Sequence, residues 1–115
     1  MTKNMTIIKI EKEPVLLANL IEALFKKGYV YINGIKYEYY YVRYKDLQKQ
    51  GINPLFVQSS YFVLALRILF RRHGFIAVLS RRFGNYSKLI FVKDEETLNY
   101  FKKLARVVFT REELL

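Results

Sequence analysis

Few side chains in this sequence are equipped for covalent or metal chemistry. His73 is the only histidine and cysteine is absent. That removes Cys–His pairs, zinc sites, disulfides and CxxC redox chemistry together. His73 projects onto the apolar side of a helix at its end, where a structural or capping role outweighs a catalytic one. The carboxylates cluster as Glu11 with Glu13 and as Asp94, Glu95 and Glu96. Both groups stand at helix starts, where the helix dipole already explains them. No GxSxG, GxGxxG or Walker loop is present. The chain therefore reads as a non-enzyme with no catalytic residue, cofactor, metal or small-molecule ligand. A nuclease built from dispersed carboxylates stays open, but the most basic segment holds no carboxylate to serve it.

The residues present in numbers are cations. Twenty Lys and Arg stand against ten Asp and Glu in 115 residues, a net charge of +10. Their distribution matters more than their sum. Between Asp46 and Asp94 there is no acidic residue, while Lys49, Arg67, Arg71, Arg72, Arg81, Arg82, Lys88 and Lys93 fall there. The remainder of the chain nearly cancels. An excess confined to one segment favours a polyanionic partner over generic solubilising charge.

The length suits one domain over residues 1–115, and about half the residues are apolar, enough for a core without staples. No secretory h-region opens the sequence, and the most apolar run, Phe62 to Phe70, is broken by Arg67 and too short to span a bilayer. The expectation is a soluble cytoplasmic protein with no membrane partner.

The elements that must position the cations follow from punctuation and period. Pro14 suits the first turn of a helix in which Leu17, Leu20, Ile21, Leu24 and Phe25 keep the i, i+3, i+4 spacing, with Gly28 as its left-handed cap. Asn33-Gly34 between alternating β-formers predicts a type I′ hairpin pairing Ile32 with Ile35. Val30, Ile32, Ile35, Tyr37, Tyr39 and Tyr41 then share one face, and Tyr29, Tyr31, Lys36, Glu38 and Tyr40 the other. RYKDLQKQG predicts a short helix closed by Gly51, followed by a loop with Asn53-Pro54. A longer helix starts near Ser59 or Ser60, or earlier at Asn53-Pro54, and stops at Gly74. FIAVLSRR and SKLIFVK flank a tight turn at Gly84-Asn85, which sets Arg81 across from Lys88 and Arg82 across from Ser87. DEETLNYFKKLAR predicts a helix, and Thr110 with Glu113 a capping box.

This α+β order of helix, hairpin, helix, helix, hairpin, helix resembles the winged helix-turn-helix family. KDLQKQGI stands for its second helix, SSYFVLALRILFRRHGFI for its recognition helix and AVLSRRFGNYSKLIFV for its wing. The Tyr, Ile and Lys bias also resembles that of small regulators from thermophilic archaea and their viruses or plasmids. The resemblance implies a transcriptional regulator that binds double-stranded DNA, with helix 59–73 in the major groove and wing 80–88 on flanking backbone or minor groove.

Projection of the longer helix at 100° per residue puts Phe62, Leu66 and Leu69, flanked by Ala65 and Phe70, towards the core. Ser60, Arg67 and Arg71 fall together on the opposite side. Arg can fork onto guanine or clamp phosphate, and Ser59 or Ser60 can reach phosphate at the helix start. The same stripe also fits a buried helix whose single solvated side must be polar. Arg72 points elsewhere. On the wing, Arg81, Arg82 and Lys88 set like charges side by side, which a nearby anion would relieve. Asn85 and Tyr86 sit at its tip.

Seven of the ten tyrosines lie between Tyr29 and Tyr44. Half-buried packing in a hairpin explains most of them. If Tyr29, Tyr31, Tyr40 and Tyr86 stack on bases instead, the chain is a single-strand or RNA binder. A third reading makes the Tyr-rich hairpin the contact face of a protein-interaction module. Leu98, Phe101, Leu104, Ala105 and Val108 form a C-terminal apolar stripe for the core or for a homodimer, with Leu64 and Ile68 packing against it.

Overall fold

The computed structural model describes residues 13–53 and 59–115. Helix α1 (Pro14–Ala23) is followed by strands β1 (Lys26–Ile32) and β2 (Ile35–Arg43), then helices α2 (Tyr44–Lys49) and α3 (Ser60–His73). Strands β3 (Ala77–Arg81) and β4 (Lys88–Val92) come next, then α4 (Glu95–Lys102), β5 (Arg106–Thr110) and the final turn α5 (Arg111–Leu114). The five strands form one antiparallel sheet in the order β1-β2-β4-β3-β5. Among the described residues no helix is long and apolar enough to cross a membrane. Glu11 and Pro54, used above as helix-start signals, lie outside the described residues.

Each face of the sheet is covered. On one, Val42, Val78, Leu89 and Phe91 pack against Leu17, Ala18 and Ile21 of α1, Leu47 of α2, and Phe62, Ala65, Leu66, Leu69 and Phe70 of α3. On the other, Ala77, Leu79, Ile90 and Val92 pack against Leu98 and Phe101 of α4. Strands β3 and β4 are therefore buried on both sides, which is why AVL and LIFV read as continuous apolar runs rather than alternations.

The first hairpin has the expected register, with Ile32 opposite Ile35 and positive φ at Asn33 and Gly34. Helix α3 runs between its expected signals: the Ser59 hydroxyl caps it at the Phe62 N–H and Gly74 closes it in the left-handed region. Its five buried residues are those the projection assigns to the core. Gly51 and the Thr110–Glu113 capping box also stand as expected.

Four expectations are corrected. Gly28 does not cap α1, which ends at Ala23; it lies within β1 opposite Tyr39. A Cβ at position 28 would run into the Tyr39 ring, so the glycine serves that close approach. The helix expected over residues 94–106 stops at Lys102, and Arg106–Thr110 is an edge strand on β3 that puts Val108 in the sheet. Leu64 and Ile68 of α3 do not pack against Leu98 and Phe101, which join the core, one of the two uses expected of them, on the opposite face of the sheet. Finally, the β3–β4 connection is not a two-residue turn. It spans residues 82–87 and contains a 3-10 turn at Gly84–Tyr86, so Arg81 does face Lys88 but Arg82 stands outside the ladder.

Candidate nucleic-acid interface

The expected contact surface on α3 has the geometry its sequence dictates. Ser60 and Arg71 are exposed and Arg67 is half-buried. Among the described residues neither arginine has a hydrogen-bond or ion-pair partner. Leu64, at the same helical spacing, is exposed between Ser60 and Arg67 and makes the stripe apolar at its middle. The Ser59 hydroxyl is spent on its cap, accepting from the Phe62 N–H at 3.4 Å. Arg72 lies off the stripe and is tied to α1, donating to Asn19 at 2.8 Å and Glu22 at 3.4 Å. His73 bonds the other Glu22 oxygen at 2.5 Å and stacks on Phe75, a structural setting.

The second surface is the end of the sheet from which the β3–β4 tip projects. The tip is held from within by one side chain. The Ser87 hydroxyl accepts from the Phe83 N–H at 3.1 Å and donates to the Gly84 carbonyl at 3.0 Å. The Tyr86 N–H bonds the Phe83 carbonyl, and the Tyr44 N–H bonds the Ser87 carbonyl, each at 3.0 Å, which fastens the tip to the start of α2. Below it, the Tyr44 hydroxyl is bonded to the buried Ser80 hydroxyl.

Cations surround this tip. Arg43, Lys88 and Arg81 stand in one row across β2, β4 and β3, on the face that carries Tyr41. Lys88 extends over the Tyr41 ring at 4.7 Å, and Arg82 lies over Tyr44 on the opposite face at 5.4 Å. Burial first, and the Arg81 guanidinium second, hold the Lys88 ammonium below the ordinary lysine pKa. Asp46 accepts from the Arg43 side chain at 2.9 Å, and that hydrogen bond holds its carboxyl below the usual range.

Three shallow clefts ring the base of the tip. One of about 450 Å³ lies between Arg81, Arg82 and the segment from the end of α4 to the start of β5, which adds Lys102, Lys103 and Arg106. Two of about 340 Å³ each lie against α2 and β2, and add Lys45 and Arg43. Every charged residue lining the three is Lys or Arg. Among the described residues only Arg43 of this group has a carboxylate partner.

Arg81, Arg82, Asn85, Tyr86 and Lys88 are thus brought together. Arg67 and Arg71 are not part of that cluster. Arg71 lies near the Gly74 turn into β3, and the length of β3, about 17 Å at 3.3 Å per residue, separates that turn from the tip. Arg43, Lys45, Lys102, Lys103 and Arg106 escaped sequence reasoning. The run KKLAR was the available signal, but it also satisfies a helix C-terminus. Only the pairing of β5 with β3 carries Arg106 to Ser80, beside the tip.

Among the tyrosines, Tyr39 and Tyr41 pack towards α4, Tyr40 packs beside Phe25 and Phe75, and Tyr44 is buried. Tyr29 and Tyr31 of the edge strand β1 are exposed, Tyr31 by 68%. Among the described residues no three His, Asp or Glu side chains are grouped as metal ligands. The chain matches no known family model, and no characterised protein or solved structure is significantly similar to it.

Proposed function

We propose that this protein binds nucleic acid, duplex DNA in the first instance, through the basic end of the sheet. The observation that carries this reading is the ring of cations around the β3–β4 tip, which among the described residues lacks any carboxylate but Asp46. Like charges gathered at this density repel one another and cost folding free energy. Phosphates that displace condensed counterions would relieve the repulsion and gain binding free energy. The tip and its flanks would grip the backbone. The stripe of Ser60, Leu64, Arg67 and Arg71 would form a second contact, with arginines suited to guanine edges or phosphates and Leu64 to a thymine methyl.

The order α1, hairpin, α2, α3, hairpin supports reading the scaffold as a winged-helix variant whose wing strands are drawn into the centre of the sheet. On that analogy the role would be transcriptional regulation, with a homodimer reading two half-sites. A second reading has one observation in its favour. Tyr29 and Tyr31 of edge strand β1 and Ile35 at the start of β2 are exposed, a surface suited to strand addition by another protein.

The test is binding to mixed duplex DNA across a salt series. Wild type should show a steep slope of log K against log salt. Arg81→Ala/Arg82→Ala/Lys102→Ala/Lys103→Ala should lose several units of it, about one per phosphate contact. Weak binding by the wild type, or a slope indifferent to those four residues in a folded variant, would sink the proposal and favour the edge-strand reading.

A further inference from the structure

The tip exposes more than charge. Phe83 is 66% exposed and Tyr86 76%, with Tyr31 the most exposed aromatic rings among the described residues. An ordinary loop with two such rings would fold them down or lose their order. Here the backbone between them is fixed by the Ser87 hydroxyl, the Phe83–Tyr86 turn and the bond from Tyr44. Gly84, at φ 55°, supplies a conformation that other residues rarely adopt. The ordering entropy of a protein-bound base platform has thus been met in advance on the protein side.

Arg81 and Lys88 form the last pair of the ladder before the tip, and Arg82 directly precedes Phe83, so cations flank both rings where the phosphates beside an engaged base could meet them. Exposed aromatic faces beside cations are the chemistry that recognises unstacked bases. A membrane surface would accept an aromatic tip with cations too. The α4–β5 cations and Lys45 spread around the base of the tip on several sides, which suits a strand wrapping it better than a flat interface.

We infer that Phe83 and Tyr86 form a stacking wedge, and that the preferred ligand is duplex nucleic acid with an unpaired or easily unstacked base, at a junction or a bulge. This rests on the proposed function above and narrows its ligand class. An intact duplex offers base edges in its grooves but no open base face. To stack there, the tip would have to force a base step apart, which costs a few kcal/mol. A bulge or fork offers the face without that cost.

The test compares a blunt duplex with the same duplex carrying one bulged base, replaced by a fluorescent adenine analogue whose emission is quenched by stacking. Wild type should bind the bulged duplex about tenfold more tightly, within the range that base–aromatic stacking provides, and quench the analogue. Phe83→Ser/Tyr86→Ser should abolish both preference and quenching, so that the bulged and blunt duplexes bind alike, and because neither ring is charged the salt slope should stay near that of wild type. Both rings are exposed, so the variant should keep its fold, which circular dichroism would check. Tyr86→Phe should retain the preference. Equal binding of the two duplexes by wild type, or a preference that survives the double serine variant, overturns the wedge and leaves the nucleic-acid reading standing. Failure to bind either duplex overturns both. Sedimentation with anionic vesicles that the double variant loses, without a bulge preference, assigns the tip to a membrane and overturns the wedge as well.

Discussion

Arg81 and Lys88 face each other across the β3–β4 ladder, and Lys88 faces Arg43 on its other side. Three cations thus share one row of the sheet, with a single carboxylate, Asp46, bonded at one end. Directly opposed like charges destabilise a strand pair, whereas the packing of the Lys88 stem over Tyr41 works the other way. The row is a local conflict that nothing else in the fold requires, and such conflicts concentrate where a ligand resolves them.

Lys88→Met should therefore be more stable than wild type. The thioether keeps the stem's contact with Tyr41 and removes the repulsion. The gain expected is about 0.5–1 kcal/mol, or several degrees in Tm for a chain of this size. The same variant should bind duplex DNA more weakly and with a smaller salt slope. A variant that is destabilised, or that binds as well as wild type, would show that the row is neutral and idle.

The depressed pKa of Lys88 gives the conflict a pH signature. At neutral pH the side chain is charged in both folded and unfolded chains, and the full penalty is present. As pH rises through the folded value, the folded chain releases its proton before the unfolded one, whose pKa is about 10.4. Stability therefore rises with pH across that alkaline window. Above about pH 10 Tyr39 opposes it. Burial raises its phenol pKa, the unfolded chain ionises first, and stability falls. Urea unfolding of wild type and Lys88→Met should show a gap that narrows as pH rises towards 10. A constant gap would remove Lys88 titration from the account.

Much of this fold is legible because its signals are local. Asn33-Gly34 fixes the first hairpin's register, Ser59 and Gly74 bound α3, and one 100° projection sorts α3 into core and solvent. The failures come from pairing over long distances. Lys26-Lys27-Gly28 after an apolar run has the form of a helix C-terminus. Seven residue pairs with β2 outweigh that preference and draw the segment into a strand. RVVFT continues the helical spacing of Leu98 and Phe101, yet pairing with β3 makes it a strand. The candidate site divides the same way. Arg81 opposite Lys88 follows from the second hairpin, but Arg43 and Arg106 join it only through β2–β4 and β3–β5 contacts that no local pattern announces.

Gly28 gives a stability test of that competition. The Tyr39 ring crosses the space over Gly28 and meets Phe101 of α4 edge-on at 4.7 Å. Gly28→Ala should destabilise by about 1–3 kcal/mol, the usual cost of overpacking, despite the better β-propensity of alanine. Gly28→Ala/Tyr39→Val removes the clash, and the alanine should then cost much less in that background. A double-mutant cycle by urea unfolding measures the coupling. Additive effects would mean that the ring and the glycine do not share this space.

The Tyr44–Ser80 hydrogen bond links the start of α2 to β3 beneath the tip, and Ser80 is one of only two buried polar residues among those described. Tyr44→Phe leaves the Ser80 hydroxyl without that partner, and the loss should be about 1–3 kcal/mol. Adding Ser80→Ala removes the orphaned hydroxyl and should recover part of it. The main-chain bond from Tyr44 to Ser87 survives both changes, so the tip should stay anchored. Stability and nucleic-acid binding should accordingly separate: urea midpoints drop for Tyr44→Phe, while the salt slope of duplex binding stays that of wild type. If binding fell in step with stability at temperatures where the variant is folded, the side-chain bond, and not the backbone tie, would be what holds the tip in its binding geometry.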